Sequence, residues 1–507
     1  MSWKTFSTFL KTKVLTKTVG YATLGIASAA TVCTVIGLKI VHPFKPSFYN
    51  YQAYMSPFAK EQISKDFDFK EFATLNEFTK AILTKKAVSG IGSDSQAVQL
   101  IRKGKLRKIE DSEFESIFGT TDRKSVYTDL VWNHMIHYDE ILKTDINGNP
   151  LNAHLYDYFI PYFAQNMVVA YNPVKLSKLK LSYESEVSDK TKEKVRKELD
   201  SKIIEYLTKS CGEYNGQFRL VDVLKALKNQ GFNQWEITDA VRDNMIYGSS
   251  YRLNTATSKR EEQFTGDAVE GKDLIYKDLI DQFQDLVRDG TGLSLTDKHM
   301  RFIGSGGEML TNVLSPMSDV QVGILYNGDA LDAYFSTDND ERVGDGTVHF
   351  IRPRGNLLLV DGLVISADTN DNYYHKTIED AKKGFFGGYD KDLKTWEDNI
   401  KRDPKSGDLE YDEAEYSSLG NFDKVCYTPA IKVLYDYAKK HYFEDISDPY
   451  ELAYVESLYE IKNEYTILSP IDKTTKITYN VNHTDITPVT DTLITDINRY
   501  YDQKIKK

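Results

Sequence analysis

The 507-residue chain carries a formal net charge of −11, with 64 Lys and Arg against 75 Asp and Glu. That balance argues against a general nucleic-acid binder, because phosphate contact needs a basic face, and it favours cationic partners. Its length exceeds what one hydrophobic core usually organises, and Cys33, Cys211 and Cys426 are too few and too scattered for a disulfide framework or a thiolate metal site.

The first element is "VGYATLGIASAATVCTVIGL", Val19 to Leu38, an uncharged run of the length a helix needs to cross a bilayer. Lys4, Lys11, Lys13 and Lys17 precede it, so residues 1–18 are expected in the cytoplasm, 19–41 as a single-pass anchor and the rest outside the cell. Two alternatives stay open: cleavage at "ASAA", Ala27 to Ala30, and lipidation of Cys33, where "ATVC" departs from a lipobox.

"HPFKPSFYNYQAYMSP" places prolines at 43, 46 and 57 around a short extended segment. "AVSGIGSDSQAVQLIRKGKLRKIE" predicts a strand, a Gly/Ser turn and a helix with Ala97, Leu100 and Ile101 on one face, the unit of an α/β sheet. "FIPYFAQNMVVAYNP", Phe159 to Pro173, predicts a strand pair. Alternating Lys and Glu from Lys175 to Leu207 predict a solvated surface helix. "VQVGILYNGDALDAYF" and "NLLLVDGLVIS" predict apolar strands ending in polar turns, with a helix at "TIEDAKKGFF". The fold class expected is α/β, in two lobes.

In such sheets ligands bind beyond the carboxyl ends of strands. The residues there are Tyr51 and Tyr54; Ser93, Asp94 and Ser95; Tyr326 and Asn327; and Asp361, directly after "LLLV". Asp243 lies in "WEITDAVRDNM", where Thr238 or Asp239 is expected to cap a helix. Each has an ordinary structural explanation, since turns favour Asp, Asn and Ser and half-buried strands favour Tyr. Together they suit a protonated amine: a desolvated carboxylate needs a counter-charge, and tyrosine faces attract cations.

These segments, in order, resemble the spermidine/putrescine-binding proteins of bacterial polyamine ABC importers. "FYNYQAYM" is similar to that family's opening "FYNW-x-x-Y", and "GSDSQAVQLIRKGKLRKIE", "IPYFAQNMVVAYN", "TDAVRD", "GILYNGDA", "LLLVDGLVIS" and "CYTP" follow in register from about residue 48 to 430. The resemblance implies a type II periplasmic-binding-protein fold behind an N-terminal transmembrane helix. Lobe 1 would take residues 45–166 plus 361–430, and lobe 2 residues 167–360 plus 431–507, with a charged helical insertion at about 175–230. It implies Tyr51, Tyr54 and Tyr326 as aromatic walls, Asp243 and Asp361 as amine-holding acids, and Ser93 and Tyr427 as polar contributors, with Gln52 beside the first pair. Ala53, Ala240, Ser95 and Leu359 replace family side chains, and Asp239 is a substitute for the acid missing at Ala240. The function implied is the membrane-anchored, extracellular substrate-binding subunit of an importer. It would bind a polyamine, perform no chemistry, require no cofactor or metal, and deliver its ligand to permease subunits served by a separate ATPase. Another small ligand, and a surface adhesin that keeps the fold, are the alternatives.

Other motifs are weaker. "DTNDNYYHKTIE", Asp368 to Glu379, has EF-hand oxygen spacing but Tyr373 where the loop needs Gly. "GSGGEM", Gly304 to Met309, lacks a P-loop ending and is expected as a flexible turn; no HExxH and no G-x-S-x-G is present.

Overall fold

The computed structural model describes residues 45–176, 194–211, 218–336, 339–403, 405, 407–469 and 472–506. The chain divides into two compact units, Met1–Pro46 and Ser47–Lys507. The expected anchor at 19–41, with Cys33, and residues 177–193 and 212–217 of the insertion lie outside the described residues. Among the described residues no helix is long and apolar enough to cross a membrane.

The second unit is built on two mixed sheets. The first contains β1 (Ser47–Tyr51), β2 (Asp68–Phe72), β3 (Ala87–Ser93), β4 (Phe159–Gln165), β11 (Leu359–Ile365) and β12 (Thr428–Pro429), in the order β12-β4-β11-β3-β1-β2. The second contains β5 (Met167–Tyr171), β6 (Trp235–Thr238), β7 (Met300–Ile303), β8 (Val322–Tyr326) and β9 (His349–Ile351), in the order β7-β6-β8-β5-β9. β1 pairs in parallel with β2 and β3, and β6 with β7 and β8, through helical crossovers; β4, β5, β9, β11 and β12 join antiparallel.

β3, β4, β5 and β8 are almost entirely buried and predominantly apolar, as strands covered on both faces must be. Gly90 of β3 is required by packing, since a Cβ there would sit 2.3 Å from the Tyr49 carbonyl oxygen.

Asn166 alone separates β4 from β5, so the chain passes directly from one sheet to the other. The "strand pair" read from Phe159 to Pro173 is therefore two strands of different sheets. Asn327 fixes this crossing. Its backbone N–H donates to Asn166 O at 2.8 Å, its side-chain oxygen accepts from Asn166 N at 3.0 Å, and its Nδ2 donates to Thr428 Oγ1 at 3.0 Å. The return runs through β10 (Gly355–Leu357), paired in parallel with β13 (Asn482–Thr484).

Several local readings are refined. No turn separates β3 from the Asp94–Arg102 helix, because Ser93 is itself the N-cap, its Oγ accepting from Gln96 N. The Val241–Ser249 helix is capped at Ala240 without a side-chain bond, so neither Thr238 nor Asp239 caps it. "GSGGEM" opens the Gly306–Leu314 helix, with Ser305 as N-cap. The Asp371–Gly384 helix occupies most of the EF-hand-like stretch, from an Asn370 cap. In the described part of the Lys/Glu-rich insertion, the Ser201–Cys211 helix buries Ile203, Ile204 and Leu207, so it is amphipathic rather than fully solvated.

Candidate functional site

β1 ends at Tyr51, and a turn through Gln52 and Ala53, the latter at φ +55°, brings Tyr54 back beside it. The two rings lie edge to face at 5.3 Å, and Tyr54 reaches Tyr427 at 5.4 Å. Tyr51 is half-buried and Tyr54 buried, while Gln52 is exposed. Tyr51 OH donates to Asp361 Oδ1 at 3.2 Å and Tyr54 OH to Asp361 Oδ2 at 2.9 Å. Gln165, the last residue of β4, donates through Nε2 to both Tyr54 OH and Asp361 Oδ2. Asp361 lies in the middle strand region of its sheet, opposite Ser93 of β3 and Phe163 of β4.

Three further acids sit in first turns of helices, where the N-terminal dipole favours negative charge. Asp243 lies in the first turn of the Val241–Ser249 helix and accepts from Tyr326 OH at 2.7 Å. Asp329 lies in the first turn of the Asn327–Tyr334 helix and accepts from Tyr427 OH at 2.6 Å, while its Oδ2 is buried without a partner among the described residues. Asp94 begins the Asp94–Arg102 helix. Its carboxylate accepts from Ser95 N, Val360 N and His134 Nε2.

Electrostatics bind these residues into one site. Burial pushes the Asp361 carboxyl up to about 7, with the charge of Asp94 adding to the rise and the Tyr54, Tyr51 and Gln165 hydrogen bonds opposing it. Burial likewise raises Asp329 to about 7 and Asp243 to about 6, the latter also feeling Asp94. Burial and the neighbouring carboxylates hold the Tyr51, Tyr54, Tyr326 and Tyr427 phenols well above their ordinary value, so they remain O–H donors. Among the described residues none of Asp243, Asp329 and Asp361 forms an ion pair with Lys, Arg or His. The guanidinium nearest in sequence, Arg242, directs Nη2 to Gly266 O and Thr487 O instead.

The structure thus brings together Tyr51, Tyr54, Asp243, Tyr326, Asp361 and Tyr427, with Ser93 beside them as a cap. It does not bring in Gln52, which is exposed. Asp239 is also exposed and lies by Tyr501 of the Asp491–Ile505 helix. Gln165, Asp329, Asp94 and His134 complete the site. Asp329 follows Tyr326 within "YNGD", and Asp94 follows Ser93; nothing in the sequence near Gln165 or His134 marks them.

Gly328 admits Tyr427 to the site, since a Cβ there would lie 1.7 Å from Tyr427 Cδ1. Gly328→Ala is expected to displace the ring from Asp329 and to destabilise the protein by roughly 1–3 kcal/mol, as overpacking of a closed core does. Gly307→Ala, whose added Cβ would meet nothing within 4 Å outside its own helix backbone and chain neighbours, is the control. Thermal melting checks both, and equal melting points would show that Tyr427 moves freely.

Among solved structures the chain is similar to the TpPotD lipoprotein of Treponema pallidum, at 12% identity and TM-score 0.46, covering 92% of this chain and 100% of that one. It is also similar to the spermidine/putrescine ABC transporter substrate-binding protein PotD of Streptococcus pneumoniae, at 13% identity and TM-score 0.39, covering 90% and 99%. A third is UgpB of Mycobacterium tuberculosis, in complex with glycerophosphocholine, at 11% identity and TM-score 0.42, covering 79% and 83%. No curated protein matches the chain. A family model described as "Hypothetical lipoprotein (MG045 family)" matches residues 21–467, and the chain belongs to that family.

Proposed function

We propose that this protein is the extracellular substrate-binding subunit of an ABC importer and that its ligand is a polyamine. The observation that carries the reading is the set of three buried carboxylates, Asp243, Asp329 and Asp361, each accepting from a tyrosine and none in an ion pair with a cationic side chain among the described residues. Leaving charges buried and unpaired is costly, and ammonium groups supply the missing counter-charges while the phenol rings offer their faces. The motif order shared with spermidine/putrescine-binding proteins supports the same reading.

Two lobes, 45–166 plus 361–430 and 167–360 plus 431–507, would each contribute contacts: Asp361, Tyr51, Tyr54 and Tyr427 from the first, Asp243, Tyr326 and Asp329 from the second. Ligand held by both shifts the population toward a closed form, which the permease recognises while a separate ATPase provides the energy. The protein itself performs no chemistry.

Calorimetric titration of the protein with putrescine, spermidine, spermine, a neutral sugar and glycerophosphocholine tests the ligand. Saturable binding of an amine, weakened by salt but not abolished, is expected. Tight binding of a neutral ligand with no response to any amine would overturn the reading and leave the adhesin or another small ligand in its place.

Residues 1–18 would remain in the cytoplasm and 19–41 anchor the protein at the cell membrane, given the lysines before the uncharged run. Protease applied to intact cells is expected to destroy epitopes beyond residue 50; their protection would reverse the orientation.

A further inference from the structure

Asp94 is the fourth acid of the site, yet its bonds are already filled. Oδ1 accepts from Ser95 N at 2.5 Å, and Oδ2 accepts from Val360 N at 3.1 Å and pairs with His134 Nε2 at 2.5 Å. The other ring nitrogen of His134, Nδ1, lies 3.0 Å from Asp485 Oδ1. Ionised carboxylates only accept, so a ring that bonds one through each nitrogen carries two N–H groups and a positive charge. Both His134 and Asp94 are buried, at 2% and 1% side-chain exposure, which removes water as an alternative partner.

Asp485 belongs to a segment fastened on both sides of the molecule. Towards the helices over the first sheet it meets His134, His137 Nε2 at 3.4 Å, Tyr138 OH through Ile486 O, and Gln99 Nε2 through Val489 O at 2.8 Å. Towards the second sheet, Arg242 Nη2 donates to Thr487 O and Thr487 N to Gly266 O. The titratable and charged groups facing His134 are therefore Asp94, Asp485, exposed His137, the edge-on ring of Tyr138, Arg242 across Tyr138, and His483, which burial holds neutral.

We propose that His134 is a specificity-determining residue: as a built-in imidazolium clamped between Asp94 and Asp485, it withholds Asp94 from the ligand and leaves Asp243, Asp329 and Asp361 to set how many ammonium groups the site takes. The inference rests on the amine reading of that site. Asp94 adjoins Asp361 through Val360 and is felt by both Asp361 and Asp243, so uncovering its charge would add an acid to the site itself.

The test compares the full-length protein with His134→Gln and with His134→Gln/Asp94→Asn, titrated with putrescine, spermidine and spermine. His134→Gln is expected to shift the ratio of affinities toward spermidine and spermine by about tenfold or more, and the added Asp94→Asn to return it to the wild-type value. A ratio unchanged within about twofold overturns the role of His134 while the amine reading stands; a wild type that binds no amine overturns both. Nitrogen-15 shifts of the histidine rings in the wild type provide a readout that does not depend on the variants or on ligand. A doubly protonated His134 ring at pH 8 is expected, and a ring that is neutral at that pH overturns the proposal alone.

Discussion

Asp361→Asn is expected to weaken polyamine binding by about 30-fold to several-thousand-fold, the loss of roughly 2–5 kcal/mol that follows removal of one partner from a desolvated, hydrogen-bonded charge pair. The substitution keeps the shape of the side chain, and its oxygen can still accept from Tyr51 OH or Tyr54 OH. The empty protein should meanwhile melt at the same temperature or higher. Asp361 is 5% exposed and, among the described residues, accepts from two phenols and an amide and forms no ion pair, so without ligand its ionised form is a buried charge lacking a paired cation there. A purely structural aspartate gives the opposite pattern, a lower melting point with unchanged affinity. Calorimetry and melting curves on the two proteins separate these outcomes, and equal amine affinity would remove Asp361 from the site.

The periodicity and punctuation of the sequence reach strand ends well. "LLLV" announces a buried strand and makes Asp361 conspicuous, and "FYNYQAYM" exposes the tyrosines because an aromatic cluster at a strand end is unusual chemistry for a turn. What sequence cannot show is which distant residues meet. His134 sits on a helical face where a histidine signals nothing, and its partners Asp94 and Asp485 are 40 and 351 positions away, joined only when the helices and the returning C-terminal segment pack. Gln165 is invisible for the same reason: its amide matters only because β4 and β11 place it against Asp361. Asp239 shows the same limit from the other side. It adjoins Ala240, where the family's acid is missing, and reads as its substitute, but it precedes the helix and is exposed, whereas Asp243, inside the first turn, is buried.

Affinity for amines is expected to rise with pH between 5.5 and 8, and the sign follows from the three acids. In the empty folded protein Asp361 and Asp329 titrate near 7 and Asp243 near 6, above the ordinary carboxyl value of about 4. Their protons are therefore held by the folded state and released by the unfolded one, so the stability of the empty protein is greatest below about pH 4 on this account and falls as pH rises through 6 to 7. An ammonium ligand requires the ionised form. Below 7, binding must expel protons, which costs about tenfold in affinity per pH unit for each acid that ionises. From pH 8 down to 5.5 the dissociation constant should increase about tenfold or more if one of the acids near 7 is used, and on the order of a thousandfold if all three are. The primary ammonium ends of the ligand stay charged across this range, since alkyl amines of the lysine type titrate near 10. His134, raised to about 10 by its bonds to Asp485 and Asp94 against the opposing effect of burial, stays charged throughout and contributes no slope. Calorimetry at pH 6.5 in buffers of different ionisation enthalpy should detect proton release on binding, and melting curves should show the empty protein losing stability from pH 5.5 to 8 while the saturated protein loses less. A flat affinity across that range, with no proton released, would mean that the three carboxylates do not face the amine.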